Sequence, residues 1–247
     1  MINYKMILQY DGSRYSGWQV QGNTEQTIQG KLQSVLEKMT GEEIEIHGSG
    51  RTDAGVHAMG QVANFKLQSA YEPEEIKRYC NQYLPEDIVV LEVSEVPLRF
   101  HSRLNAVKKT YCYRIFLGEK PDVFRRKYVT PVAENLNINK MKAAAEVLLG
   151  THDFTSFCTL DSREKGDMTR TVKAFSVTRE GNLVTMKVEA DGFLYNMVRI
   201  MVGTLLRIQQ GKIPVDGIAG IIEKKDRKFA GPTAQPCGLY LNRVNYD

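Results

Sequence analysis

Alternating apolar and polar residues predict strands at intervals along the chain. The first covers residues 2 to 10 and ends at Asp11-Gly12, a strong turn signal. Further strands are predicted over 43–47, 61–66, 88–96, 110–117, 171–178, 183–190 and 239–245. Glu180-Gly181-Asn182 separates two of these strands and predicts a hairpin.

Apolar residues at helical spacing predict helices between the strands. The first stripe consists of Ile28, Leu32, Val35, Leu36 and Met39, and Gly41 closes it. The second helix begins near Pro73, and the residues that we expect to face inward are Ile76, Tyr79, Cys80, Tyr83 and Leu84. Three more helices are predicted over 141–149, over 195–209 and after Pro214.

Strands and helices in this irregular order predict an α+β fold with a large mixed sheet. A polar stretch punctuated by prolines follows Gly118 and is the best place for a crossing between two halves. We therefore predict one half over 1–118 and another over 119–247.

Composition changes this picture little. The chain is 42% hydrophobic and 25% charged with a net charge of +4, which is typical of soluble globular proteins. The first twenty residues lack the apolar block of a secretory signal. The longest apolar stretch, 197–206, contains Arg199 and is shorter than the roughly 20 residues of a membrane span. We expect a cytoplasmic protein without a membrane segment.

Neither a metal nor a cofactor is predicted. Cysteines stand only at Cys80, Cys112, Cys158 and Cys237, and histidines only at His47, His57, His101 and His152. None of these spacings is typical of a zinc site. Gly48-Ser49-Gly50 continues into Arg51 instead of a third glycine, so a dinucleotide fingerprint is absent.

Positive charge is concentrated in residues 99–128, which carry +7. Aromatic side chains and a histidine interleave with the charges at Phe100, His101, Tyr111, Tyr113, Phe116, Phe124 and Tyr128. Cations bind phosphates and aromatic faces stack on unpaired bases, so nucleic acid is the leading partner. A solvated strand face with core aromatics is the alternative. A second basic stretch contains Arg163, Lys165, Arg170, Lys173 and Arg179.

A loop rich in glycine, 48–55, holds Arg51, Thr52 and Asp53 between two predicted strands. Such loops present side chains to ligands. Local chemistry alone favours another interpretation, in which Asp53 folds back onto its own backbone as an aspartate that forms a turn.

The stretch GSGRTDAGVHAMGQVANF resembles the signature of the TruA family of tRNA pseudouridine synthases. The motifs YDGSRYSGWQVQ, FHSRLNAVKKTYCYRI, GTHDFTSF, FLYNMVRIMVG and GLYL resemble further landmarks of that family, in the expected order. His101 to Asn105 departs from the His-Ala-Arg-Phe-Ser expected there, which puts local RNA contacts in doubt.

The resemblance implies a pseudouridine synthase fold of two similar halves that share a mixed, mostly antiparallel sheet flanked by helices. It implies isomerisation of uridine to pseudouridine in the anticodon stem-loop of tRNA, at positions 38, 39 and 40, without cofactor or metal. Asp53 matches the essential aspartate, which either forms a covalent intermediate or removes a sugar proton. The target nucleotide must leave the base stack.

The resemblance also implies substrate-binding residues. Arg199 matches the basic partner of the aspartate, Tyr111 the tyrosine that stacks on uracil, and Arg51 the arginine near the flipped base. Leu239 and Tyr240 are expected in the apolar wall of the pocket. A homodimer bound to one tRNA is implied as well. The alternatives are a non-catalytic RNA-binding module and a paralogue that modifies another tRNA or ribosomal RNA uridine.

Overall fold

The computed structural model describes residues 1–159 and 166–247. Its strands are β1 (Ile2–Tyr10), β2 (His47–Gly48), β3 (His57–Leu67), β4 (Ile88–Val96), β5 (Ala106–Leu117), β6 (Thr130–Val132), β7 (Gly150–Asp153), β8 (Thr169–Glu180), β9 (Leu183–Ala190) and β10 (Leu239–Tyr246). Its α-helices are α1 (Ile28–Thr40), α2 (Pro73–Tyr83), α3 (Ile138–Glu146), α4 (Met197–Gln209) and α5 (Gly217–Lys224).

The chain divides into two compact units. The first contains 1–107 and 240–247, and the second contains 108–239. The first boundary between the units therefore lies within β5. The sequence predicted it after Gly118, between halves 1–118 and 119–247. The last strand joins the first unit because β10 pairs with β3 in parallel, a pairing across the length of the chain that local composition does not reveal.

Sheet pairing within each unit is mostly antiparallel. In the first unit, β1 lies between β4 and β3, β2 pairs with β3, and β10 adds a parallel strand to β3. In the second unit, β9 lies between β5 and β8, β7 pairs with β8, and β6 adds a parallel strand to β5. These pairings and the helices confirm the α+β class with mixed, mostly antiparallel sheet.

Local sequence signals set the ends of α1. The side chain of Thr27 accepts the N–H of Gly30 at 3.2 Å and caps the first turn. Gly41 ends the helix with a φ of +73°. The predicted inward stripe is confirmed at Ile28, Leu32 and Leu36, which are fully buried.

Two details of the prediction are wrong. Residues 43–46 are not a strand, because side chains of α1 bind the backbone instead of a neighbouring strand: the Glu37 carboxylate accepts from the Ile44 N–H, and the Gln29 amide donates to the Ile46 carbonyl. Tyr83, expected to face inward from α2, is exposed.

None of the described helices is both long and apolar enough to cross a membrane.

Candidate active site

Arg51 and Asp53 lie in the loop between β2 and β3. The N–H of Val56 donates to the Asp53 carbonyl at 3.1 Å, so Asp53 is the first residue of a four-residue turn. Gly55, the third residue of the turn, has a φ of +77°, which favours glycine. Asp53 therefore begins this backbone turn. It is half-buried there, and Arg51 is exposed.

The loop packs directly against the segment that follows β1. A Cβ on Gly17 would lie 2.6 Å from the Thr52 carbonyl oxygen, and one on Gly12 would overlap that of Val56. Gly17 also has a φ of +104°. The N–H of Trp18 donates to the Thr52 carbonyl at 3.0 Å. The Asp53 turn is therefore held by backbone contacts that only glycine permits.

A buried polar network holds the loop from its other side. Gln61 on β3 donates from Nε2 to the Gly50 carbonyl at 2.9 Å and accepts at Oε1 from Ser49 Oγ at 2.6 Å. The same Nε2 lies 3.4 Å from the oxygen of Tyr10, which is 2.8 Å from Thr52 Oγ1. All four side chains are buried, where polar groups need their hydrogen bonds. Gln61 lies in a predicted strand and within the GSGRTDAGVHAMGQVANF stretch, but the sequence does not indicate this anchoring contact.

The histidine that ends the GRTDAGVH motif is also fixed by its surroundings. The Nδ1 of His57 accepts the Gly12 N–H at 3.1 Å and lies 3.2 Å from Asp11 Oδ1. Its ring stacks on that of Tyr240, its register partner in β10, with centroids 4.9 Å apart. Leu239 and Tyr240 are both buried, which fits an apolar wall and ordinary core packing equally well.

Tyr111 belongs to the second unit and lies in β5. It is 8% exposed, and its ring packs edge-on against Phe193 with centroids 5.0 Å apart. Tyr113 lies two residues on, and therefore on the same face of the strand. Its hydroxyl donates to the Gln235 carbonyl at 2.8 Å and lies 2.7 Å from Thr130 Oγ1. Burial raises the pKa of this phenol, so it stays protonated.

Arg199 stands in the first turn of α4, also in the second unit. Its Nε donates to the Ala234 carbonyl at 2.7 Å, and its Nη1 donates to Asn196 Oδ1 at 2.8 Å. Asn196 precedes the helix in a left-handed conformation, with a φ of +62°, and its amide donates to Thr159 Oγ1 at 3.1 Å. The guanidinium is thus held in one orientation. The sequence did not single out Asn196, although asparagine tolerates this conformation better than most residues.

The structure sorts the aromatic residues of the segment 99–128. Tyr111 and Tyr113 are buried, which fits the alternative of core aromatics. Phe124 is exposed, and the remaining aromatic residues and His101 are half-buried. Phe124 is therefore the aromatic side chain of this segment that lies most open to solvent.

Two further predictions concern the second basic stretch and metal ligands. In the second basic stretch, Arg163 and Lys165 lie outside the described residues. Across 1–159 and 166–247, no three histidine, cysteine or acidic side chains come close enough to hold a metal ion.

Comparison with known proteins agrees with the motifs. The family described as tRNA pseudouridine synthase matches residues 6–105 and 144–247. A protein named tRNA pseudouridine synthase A from Bacillus sp. (strain KSM-64) is 48% identical over 246 residues, covering 100% of both chains. The tRNA pseudouridine synthase A 2 of Bacillus cereus and the tRNA pseudouridine synthase A of Clostridium kluyveri are 46% and 44% identical, each again covering 100% of both chains. The chain therefore belongs to the tRNA pseudouridine synthase family, a family of isomerases.

Proposed function

We propose that this protein isomerises uridine to pseudouridine in the anticodon stem-loop of tRNA, at positions 38, 39 and 40. The observation that carries the proposal is the GRTDAGVH loop, with Asp53 in a turn fixed from both sides, in a chain that belongs to the family over most of its length. The full-length relatives named tRNA pseudouridine synthase A support tRNA as the substrate.

Asp53 is the proposed catalytic carboxylate. In the reaction the bond between ribose C1′ and ring N1 breaks, the uracil turns, and C1′ bonds to ring C5. The C5 proton leaves and N1 gains one, so the net composition is unchanged. Asp53 acts either as a nucleophile that is later released or as a base toward the sugar. Both roles require a carboxylate in a fixed position. The turn and its contacts hold the backbone of Asp53.

Arg199 is the proposed cationic partner of the reacting groups. A guanidinium carries its N–H donors in one plane. Two of these groups in Arg199 donate to the Ala234 carbonyl and to Asn196 Oδ1. These two contacts fix the direction of the guanidinium plane.

The remaining site residues are proposed to bind the extruded nucleotide. The ring of Tyr111 is braced edge-on by Phe193 and supplies a flat face for uracil. Leu239 contributes apolar wall. Arg51 is exposed, as the occupant of the space vacated by a flipped base has to be.

We also propose a cytoplasmic homodimer in which one tRNA contacts both subunits. Recognition is then of the shape of the folded RNA more than of a linear sequence. Sedimentation of the protein with and without tRNA tests the subunit count.

Release of tritium from ring C5 of uridine in an unmodified tRNA transcript tests the activity. The new bond between C1′ and C5 replaces the bond between C5 and its hydrogen. Each turnover at a labelled uridine therefore releases one tritium to water. We expect release by the wild-type protein, and sites at 38, 39 and 40 when the product is mapped. Release only from ribosomal RNA would indicate the paralogue, and binding without release from either RNA would indicate the binding module.

A further inference from the structure

Phe124 is the one strongly exposed aromatic ring among the described residues of the segment 99–128, with 86% of its surface open. It stands in the connection between β5 and β6. Residues 122–127 are all exposed. Pro121, directly before them, is buried, Tyr128, directly after them, is half-buried, and Val129 is buried. The connection is thus anchored at both ends and presents the phenyl ring outward.

The backbone beneath the ring is ordered. Asp122 Oδ1 accepts the N–H groups of Phe124 at 3.0 Å and Arg125 at 3.1 Å, and the Asp122 carbonyl accepts those of Arg125 and Arg126. The Tyr128 N–H donates to the Arg125 carbonyl at 2.8 Å. An exposed phenyl ring on a fixed turn loses little conformational freedom when it binds a partner.

Charge identifies the partner. Phe124 is followed by Arg125, Arg126 and Lys127, and the single acid of the turn, Asp122, lies 3.4 Å from the Arg125 guanidinium. Three cations beside a flat apolar ring suit a polyanion that also offers flat faces. RNA with an unpaired base has both properties, whereas an apolar protein surface offers no negative charge.

We propose that Phe124 is a stacking platform for an unpaired base of the RNA substrate, with Arg125 and Arg126 on the adjoining phosphates. The inference rests on the proposed function for the identity of the RNA. It adds a contact outside the predicted catalytic and substrate-binding residues, and it assigns that contact to single-stranded nucleotides.

Fluorescence of the variant Phe124→Trp tests the stacking directly. Trp18 is the only tryptophan of the chain and is 1% exposed, so a change in emission on adding RNA reports position 124. We expect an unmodified tRNA transcript to quench the emission and a fully paired RNA duplex of equal length to leave it unchanged. No quenching by tRNA, or equal quenching by the duplex, would overturn the proposal.

Affinity separates stacking from apolar contact. Loss of a base–aromatic stack predicts that Phe124→Leu binds the transcript about 10-fold more weakly than wild type, while Phe124→Trp stays close to it. Val123→Ala, a change at the exposed neighbour, is the matched control and should bind as wild type. Wild-type affinity of Phe124→Leu, or a changed subunit count in sedimentation, would contradict the platform. Binding is measured without turnover, so failure to form pseudouridine would not alter this result.

Discussion

The phenol oxygen of Tyr10 lies 2.8 Å from Thr52 Oγ1, one residue before Asp53. The direction of this hydrogen bond follows from Gln61. The Gly50 carbonyl can only accept and the Val62 N–H can only donate, so Gln61 Nε2 faces Gly50 and its Oε1 faces Val62. The Tyr10 oxygen therefore accepts from Nε2, and Thr52 Oγ1 is the acceptor within reach of the Tyr10 proton.

Removing the Thr52 hydroxyl tests this network. Thr52→Val keeps the shape but leaves the buried Tyr10 proton without an acceptor, which costs about 1–3 kcal/mol of unfolding free energy. We expect kcat to fall about 10- to 100-fold, because small displacements of a catalytic group have effects of that size. Thr52→Ser keeps the hydroxyl and should retain most of the activity. Equal loss in both variants would show that the methyl group, and not the hydrogen bond, positions the loop.

Gly17→Ala should disrupt the Asp53 turn from the opposite side. The added Cβ meets the Thr52 carbonyl at 2.6 Å, and the left-handed backbone is strained by roughly 1–3 kcal/mol for residues other than glycine. We expect lower kcat and a lower melting temperature. Gly22→Ala is the control, because no atom lies within 4 Å of its added Cβ. Similar behaviour of the two variants would contradict the close backbone contact.

Asn196 should act on catalysis through Arg199. Asn196→Ala removes the 2.8 Å contact to the guanidinium and places alanine at a φ of +62°, a strain of about 1–2 kcal/mol. Asn196→Gly removes the same contact without the strain. We therefore expect kcat to fall in both variants and the unfolding free energy to fall more in Asn196→Ala. If kcat fell only in the variant with the lower unfolding free energy, and not in both variants that lack the Asn196 side chain, a positioning role would be excluded.

His101 predicts a pH dependence of stability. Its ring stacks on that of His47 with centroids 4.7 Å apart, and burial, followed by the charges of His47 and Arg103, lowers its pKa. Because the unfolded chain binds the proton more readily, stability is complete above the unfolded pKa of about 6.5 and is lost as the pH falls through it toward the lower folded value. The urea midpoint should drop between pH 7.5 and 5.5, and less so in His101→Gln. An identical drop in both proteins would refute this.

Periodicity and turn chemistry predicted the five helices and most of the strands, but not the short strands β6 and β7. The Gly41 cap and the Gly181 turn lie where the sequence predicts them, since these signals are local. Residues 43–46 do not form the predicted strand because the side chains of Gln29 and Glu37 hydrogen-bond to their backbone. These side chains reach that backbone only after α1 has packed. The inclusion of the last strand in the first unit depends on the pairing of β10 with β3, which joins residues 240–241 to residues 57–58.

The candidate site divides in the same way. Asp53 and Arg199 are found by motif, and the motif says nothing of what holds them. Gln61 and Asn196 lie inside the same motifs, but their contacts depend on hydrogen bonds between distant segments or on an unusual backbone angle, which a motif does not show.

The most direct test of the central claim compares wild type with Asp53→Asn in tritium release and in tRNA binding. The amide keeps the size of the side chain but is neither a nucleophile nor a base. The account predicts that Asp53→Asn binds the transcript within about 3-fold of wild type and releases no tritium above background. Asp53→Glu, which moves the carboxylate by one methylene, should retain only a small fraction of the rate. Tritium release by Asp53→Asn at the wild-type rate would contradict the account.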